Sequence, residues 1–158
     1  MIMTRRELRD SIVRIIYREA FFPAQGMDEQ TEDYIRELRE EPELILPSMK
    51  EEPSEEDVVY IREKVEAVLS RLKELDRLLE ESSREWKINR IGKMELAIMR
   101  VAAYEIRYDD DIPDRVAINE AIELSKLYCD EKAGAFINGI LNNLMEQKNE
   151  GADGAENE

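Results

Sequence analysis

Histidine is absent from this chain of 158 residues, and cysteine occurs once, as Cys129. Histidine is the commonest general base, the usual partner of an activated serine or cysteine nucleophile, and a frequent zinc ligand. A single cysteine forms neither an internal disulfide nor a thiolate metal cluster, and it fits a reducing compartment. We therefore predict that the protein is not an enzyme and that it has no cofactor and no metal. Cys129 is interpreted as an ordinary residue of a loop or of the core edge.

Phosphate-binding glycine loops and long apolar runs are also missing. Neither G-x-G-x-x-G nor the P-loop pattern occurs in the sequence. The start, MIMTRRELRD, lacks the apolar region of a signal peptide, and no apolar run approaches the length of a membrane-spanning helix. We expect a cytoplasmic protein that does not enter a membrane. Glu120 and Glu123 are paired acids on one predicted helix, but di-metal sites of helical bundles also use Glu-x-x-His pairs, which this chain does not contain.

Charge is distributed unevenly along a chain whose formal net charge is −15. Residues 28–57 carry thirteen acids and three bases, whereas five arginines fall in the stretch TRRELRDSIVRIIYREAFF, residues 4–22. The summed negative field argues against indiscriminate binding to nucleic acid. A local basic site at the N-terminus remains compatible with it.

Three of the arginines, Arg5, Arg6 and Arg9, lie in the first turns of a predicted helix that begins with a capping box, Thr4 to Glu7. Cations at a helix N-terminus oppose the macrodipole, which favours a role other than helix stability. Guanidinium groups suit phosphates and base edges. The alternative is plain solvated arginine paired with neighbouring acids, and the residue types alone leave both open.

Farther along the same helix, Arg14 and Arg18 are interleaved with Tyr17 and Phe21. Arginine beside aromatic rings suits stacking on unpaired bases. The same mixture suits a protein interface equally well.

Hydrophobic periodicity predicts an all-α chain, because no segment alternates convincingly as a strand. The proline-rich stretch EPELILPSMKEEP is expected to be a loop whose residues 44–46 form a flap over the core. Residues 1–146 are expected to form the folded domain, and residues 147–158 a disordered acidic tail. The predicted helices run from Thr4 to before Pro23 and over residues 28–41, 54–81, 84–108 with a break at Gly92, 115–128 and 135–146.

The predicted helix over residues 54–81 has apolar residues at heptad spacing. The pattern fits a coiled-coil homodimer, or a central helix packed within its own bundle. The second interpretation is favoured because other predicted helices with apolar faces surround it. In the last helix, Gly139 lowers helix propensity and is interpreted as a close helix–helix contact. The heptad residues are Val58, Ile61, Val65, Val68, Leu72, Leu75 and Leu79.

The C-terminal half contains the most specific patterns. IMRVAAYEIRYDDDIPDRVAINEAIELSKLY, residues 98–128, and AFINGILNNL, residues 135–144, closely resemble the NusB transcription-antitermination family. Trp86 and the N-terminal RRELRDSIVRIIY extend the resemblance. It implies an all-α domain of two packed three-helix bundles. It also implies binding of boxA RNA together with NusE, a small-subunit ribosomal protein. Through the transcription elongation complex, this pair promotes terminator read-through, notably in ribosomal RNA operons.

The resemblance also implies roles for individual residues. Tyr17, Phe21 and Glu95 fall at positions that resemble the surface facing NusE. Asn119 and Asn138 are interpreted as structural residues that satisfy backbone or helix-end groups where helices pack. The implied RNA-binding residues are Arg5, Arg6, Arg9, Asn89, Lys93 and Lys132. Arg14, which replaces a glutamine common in the family, is expected to add a cation to this RNA-binding set.

Two alternatives remain open. One is an accessory domain in ribosomal RNA maturation, of the kind fused to RNA methyltransferases. The other is a homodimeric scaffold built on the heptad helix, with the arginines only solvated or buried in the dimer.

Overall fold

Helices and turns account for the regular structure of residues 1–83 and 87–156, which are the residues described by the computed structural model, and no strand occurs among them. The predicted all-α class is confirmed. Trp86 lies outside the described residues. None of the described helices is long and apolar enough to cross a membrane. The helices are α1 (Arg5–Arg18), α2 (Met27–Glu40), α3 (Pro42–Ile45), α4 (Glu55–Leu69), α5 (Leu72–Ser82), α6 (Lys93–Tyr108), α7 (Asp114–Tyr128) and α8 (Glu131–Glu156), with 3₁₀ turns at Ala24–Gly26 and Ile88–Arg90.

The helices fall into two compact units, Met1–Ser70 and Arg71–Glu158. The first unit holds α1, α2 and α4, of 14, 14 and 15 residues, together with the four-residue α3. Within its described residues, the second unit holds α5 to α8. It has one helix more than the three-helix bundle that the resemblance implies, because α5 comes from the second half of the predicted helix over residues 54–81.

The prediction of one continuous helix over residues 54–81 is wrong. Helix α4 ends at Leu69, and Arg71 has φ −120° and ψ 16°, which is outside the helical region. The Ser70 hydroxyl donates to the Ala67 carbonyl at 2.9 Å, a local bond of the kind that competes with helix continuation. The heptad residues of α4 are buried in the first unit, and Leu75 and Leu79 are buried in the second. The pattern therefore reflects two helices that pack within their own units, not one coiled-coil seam.

The predicted flap over residues 44–46 is only partly correct. Leu46 is buried, but Leu44 is 74% exposed. The expected loop also contains the short helix α3, which begins at Pro42, where the missing N–H of proline does no harm.

Helix α8 begins four residues before the predicted start at residue 135, inside the expected loop CDEKAG. The reason is a cap: the Asp130 carboxylate accepts hydrogen bonds from the amides of Lys132 at 3.1 Å and Ala133 at 3.0 Å. The helix extends to Glu156, past the predicted end at residue 146. The folded domain over residues 1–146 and the disorder of the tail in solution stay predictions. The break at Gly92 is confirmed, since Gly92 is the N-cap of α6.

Two interpretations of small and polar residues on α7 and α8 are wrong. A Cβ built on Gly139 would meet nothing within 4 Å, so this glycine makes no close helix contact. Asn119 and Asn138 are exposed, and the Asn138 Oδ1 accepts from Asn142 of the same helix at 2.8 Å. The closer glycine is Gly134, where a Cβ would lie 3.6 Å from the Ser125 Oγ on α7.

One buried ion pair ties α5 to α6 in the second unit. The Arg100 guanidinium donates to both oxygens of Asp76, from Nε to Oδ1 at 2.8 Å and from Nη2 to Oδ2 at 2.7 Å. The Arg100 side chain is 10% exposed and that of Asp76 is 26% exposed. Two parallel bonds in a partly dry environment are the geometry in which an ion pair matters most.

In the first unit, the buried carboxylate of Asp57 completes the capping box of α4. Its Oδ2 accepts the Ser54 amide at 2.9 Å, while the Ser54 hydroxyl accepts the Asp57 amide at 3.1 Å. The same Oδ2 accepts the amides of Ile2 at 3.0 Å and Met3 at 3.1 Å. Burial raises the pKa of Asp57, but these backbone bonds outweigh burial and hold the pKa below its usual value.

Removal of Asp76 is expected to destabilise the protein, because the mostly buried Arg100 guanidinium loses two hydrogen bonds to an opposite charge. For Asp76→Ala we expect a loss of about 2–4 kcal/mol in the free energy of unfolding, measured by urea denaturation. Glu74→Ala is the control, since Glu74 pairs with the exposed Arg77 and its loss changes stability little. Equal effects of the two substitutions would contradict this assignment.

Asp57 is expected to contribute stability that disappears in acid. Because its folded-state pKa is depressed, the contribution is complete above the unfolded value of about 3.9 and is lost as pH falls through the folded pKa. The difference in unfolding free energy between the unaltered protein and Asp57→Asn should therefore shrink below about pH 4. Thr31→Ala removes a buried hydroxyl that donates to the Met27 carbonyl at 2.8 Å and has no part in the Asp57 cap, so its effect should not depend on pH in that window. A pH-independent difference for Asp57→Asn would refute the expectation.

Candidate nucleic-acid and partner interface

Helix α1 begins at a complete capping box, as the sequence predicted. The Thr4 hydroxyl accepts the Glu7 amide at 3.0 Å, and the Glu7 Oε1 accepts the Thr4 amide at 2.8 Å. The second oxygen of Glu7 accepts the Ser48 hydroxyl at 2.5 Å. The Glu7 carboxylate also provides a negative charge at the positive end of the helix dipole. These bonds fix the first turn of α1, on which Arg5 and Arg6 are exposed.

The other two predicted RNA-binding arginines of α1 lie deeper in the first unit. Arg9 is only 8% exposed. Arg14 is half-buried; its Nε donates to the Asp10 Oδ1 at 3.1 Å, and its Nη1 donates to the carbonyl of Ile45, at the end of α3, at 2.6 Å. The structure thus separates the arginine cluster into an exposed pair, Arg5 and Arg6, and two residues that lie deeper in the unit.

The C-terminal end of α1 presents aromatic side chains. Tyr17 and Phe21 form an edge-to-face pair with ring centroids 5.2 Å apart, and Phe21 is 55% exposed. Phe22, which the sequence reasoning did not select, is 42% exposed beside them. The available signal was the second phenylalanine directly before the helix-ending Pro23. Neighbouring exposed aromatic rings are typical of a protein interface.

Arg18 does not extend this aromatic surface. Its guanidinium donates to the Gln30 side chain at 3.2 Å, lies 3.6 Å from the Glu37 carboxylate, and sits 5.6 Å from the centre of the Tyr34 ring. Arg18 therefore joins α1 to α2. The two ends of α1 are well separated, since twelve residues from Arg5 to Tyr17 span about 18 Å at the helical rise.

The remaining predicted RNA-binding residues belong to the second unit, and all three are exposed. Asn89 lies in the 3₁₀ turn Ile88–Arg90, Lys93 is the first residue of α6, and Lys132 is the second residue of α8. Lys93 and Lys132 each lie in the first turn of a helix, whereas Asn89 is the middle residue of its short 3₁₀ turn.

Glu95 connects the starts of α6 and α8. Its carboxylate folds back over Gly92, where an added Cβ would clash with the Glu95 Oε2. It also accepts a hydrogen bond from the thiol of Cys129, the residue directly before the α8 cap Asp130. Glu95, predicted to face a partner, is therefore half-buried and engaged within its own unit. The contact places Lys93 and Lys132 at the same end of that unit.

The environment of Cys129 keeps its thiol protonated. Burial, followed by the charge and hydrogen bond of Glu95 and the charge of Asp130, raises the pKa of Cys129 to about 12. A neutral thiol acts as a donor and is a poor nucleophile or metal ligand. Among the described residues, no group of three or more Cys, Asp or Glu side chains is arranged to hold a metal ion.

Alkylation of Cys129 is expected to be slow in the folded protein. At pH 8 we expect iodoacetamide to react at least about 100-fold more slowly with the native chain than with the urea-unfolded chain. Glu95→Gln removes one of the charges that raise the pKa, so it should accelerate the native reaction. Glu123→Gln, whose carboxylate pairs with Lys126 at 3.0 Å, is the control and should leave the rate unchanged. Rapid alkylation of the unaltered native chain would contradict the assigned environment.

The chain is similar to known proteins over most of its length. The model of the NusB family matches residues 6–146. The chain is 40% identical to transcription antitermination protein NusB of Agathobacter rectalis over 139 residues, which are 88% of this chain and 97% of that protein. It is 39% identical to the NusB protein of Acetivibrio thermocellus over 155 residues, which are 98% of this chain and 97% of that protein.

Two solved structures have similar folds. Thermotoga maritima NusB has a TM-score of 0.77 and 25% identity, covering 92% of this chain and 93% of that chain. A chain in the crystal structure of antitermination factors NusB and NusE in complex with dsRNA has a TM-score of 0.73 and 22% identity, covering 90% of this chain and 96% of that chain. On the family match and the identity to curated relatives, this chain belongs to the NusB family, a family of non-enzymatic RNA-binding antitermination factors.

Proposed function

We propose that this protein binds boxA RNA together with NusE and promotes read-through by RNA polymerase, notably in ribosomal RNA operons. The observation that carries the proposal is the exposed pair Arg5 and Arg6 on the capped first turn of α1, in a chain whose net charge is −15. Family membership supports it, as does the presence of NusE and RNA in the similar solved complex. The protein would act in the cytoplasm, as part of the transcription elongation complex.

The arginine pair suits RNA for physical reasons. A guanidinium group is always charged and donates in a fixed fork that matches phosphate oxygens and base edges. The capping bonds of Thr4 and Glu7 hold the turn in place, so little backbone order has to be gained on binding. Thirteen acids in residues 28–57 disfavour RNA elsewhere in the first unit and confine it to this edge.

The other proposed RNA-binding residues contribute to RNA binding in two different ways. Arg9 and Arg14 contribute positive potential from within the unit, because their burial and internal bonds leave little room for base contacts. Asn89, Lys93 and Lys132 are exposed in the second unit and contact the RNA backbone there.

NusE is proposed to bind the aromatic end of α1. Tyr17, Phe21 and Phe22 offer apolar area with little conformational entropy to lose. The acidic residues 28–57 of the same unit attract a basic ribosomal protein and raise its association rate. Glu95 contributes from the second unit, to the extent that its bond with Cys129 leaves an oxygen accessible.

The heptad pattern no longer supports the alternative function, a homodimeric scaffold. Apart from Leu72, which is partly exposed, the heptad residues are buried within the two units, so they do not form a free dimerisation seam.

RNA binding is expected to depend on the exposed arginines. In fluorescence anisotropy with a boxA RNA and NusE, Arg5→Ala/Arg6→Ala should weaken binding roughly ten- to a hundredfold and reduce the salt slope by about two. Arg36→Ala/Arg39→Ala changes the charge equally on α2 and is the matched control. Equal losses in both double variants would show a general charge effect instead of a site.

NusE binding is expected to depend on Phe21. Phe21→Ala should weaken NusE binding by roughly tenfold, because a central aromatic side chain contributes heavily to an interface. The affinity for RNA alone should not change, since Phe21 lies at the opposite end of α1. Leu44→Ala removes an apolar side chain of the first unit that is even more exposed, and it is the control. Unchanged NusE affinity in Phe21→Ala, measured by isothermal titration calorimetry, would move the partner surface elsewhere.

A further inference from the structure

The N-terminal arm, residues 1–4, leads directly into the arginine-bearing turn of α1 and is held by α4. The Asp57 Oδ2 accepts the amides of Ile2 at 3.0 Å and Met3 at 3.1 Å. Met3 is buried, whereas Ile2 is 45% exposed. The arm is therefore attached chiefly by its backbone and by one apolar side chain.

The Asp57 carboxylate that holds this arm lies in an unfavourable environment. The residue is completely buried, and its Oδ1 has no hydrogen-bond partner among the described residues. A buried acceptor without a partner is unfavourable, so the carboxylate is poorly explained by packing alone. The three hydrogen bonds of its side chain converge on Oδ2, which accepts the amides of Ile2, Met3 and Ser54, and the Asp57 backbone amide donates to the Ser54 hydroxyl.

We propose that Asp57 is a positioning residue for RNA binding, which it serves by fixing the arm and hence the direction in which Arg5 and Arg6 leave the first unit. The inference rests on the proposed function and deepens it. Asp57 does not touch RNA: it is buried on α4 and acts through the backbone of Ile2 and Met3. The arm then passes to Thr4, whose capping box with Glu7 starts α1. Two successive carboxylates, at positions 57 and 7, thus determine where the arginine pair points.

Two substitutions release the arm in different ways. Asp57→Ala removes the acceptor but also half of the α4 capping box. Ser54→Ala removes the other half of that box and leaves the Ile2 and Met3 amides bonded to Asp57, so it controls for the loss of the cap. Ile2→Pro removes one donor amide at an exposed position without altering α4, and Ile2→Ala is its control because it keeps the amide.

Two measurements on the full chain test the proposal. Hydrogen exchange at the Met3 amide reports whether the arm is held, and anisotropy with a boxA RNA and NusE reports RNA affinity. Asp57→Ala and Ile2→Pro should accelerate exchange and weaken RNA binding roughly five- to tenfold, the scale expected when two long side chains must be ordered on binding. Ser54→Ala and Ile2→Ala should retain both protection and affinity. Phe21-dependent NusE binding should be unchanged in all four variants.

The outcomes separate the positioning role from the proposed function. Faster exchange in Ile2→Pro with unchanged RNA affinity would overturn the role of Asp57 and leave the proposed function intact. Equal losses of affinity in Ser54→Ala and Asp57→Ala, with the arm still protected in Ser54→Ala, would overturn it too, because the α4 cap would then be responsible. Failure of the unaltered chain to bind RNA would refute the proposed function itself, whatever the state of the arm.

Discussion

Burial of the middle of α1 is the constraint on which the first unit depends. Ile12, Val13, Ile15 and Ile16 are each at most 2% exposed. Burial of each such side chain contributes about 1.5–3 kcal/mol, so these positions are committed to the core. Only the two ends of the helix remain for binding. The exposed arginines at the start and the exposed aromatic rings at the end follow from that division, and both are anchored by the same buried centre.

Local signals in the sequence were sufficient for much of this fold. Both capping boxes, at Thr4 and Ser54, were visible as a hydroxyl residue followed three positions later by an acid, and both are present. The absence of histidine indicated a protein without catalysis, and membership of the NusB family confirms it. Helix limits were correct within a residue at Gly92 and Pro113, whereas α1 ends at Arg18, four residues short of the predicted end before Pro23.

The features that the sequence did not show come from contacts that no local pattern encodes. The heptad spacing continues across Ser70 and Arg71, so the division between α4 and α5 was hidden by good helix-forming residues on both sides. Arg5 and Arg9 are one helical turn apart on the same face, yet one is exposed and the other is buried, because the remainder of the unit covers only the second. Glu95, which is predicted to face a partner, also interacts with Cys129, a residue 34 positions away in the sequence.

The rigid continuity of α1 has a consequence for how an RNA ligand and a protein ligand would influence each other. The structure contains one arrangement of this helix, with its centre packed at near-zero exposure, whereas a conformational switch between two ligands requires two arrangements. Cooperation between ligands at its two ends would therefore arise from tethering: a protein held at one end and touching the RNA raises the effective concentration of the other contact. Such cooperativity varies with the reach of the bound partner and is lost when the partner and the RNA no longer touch.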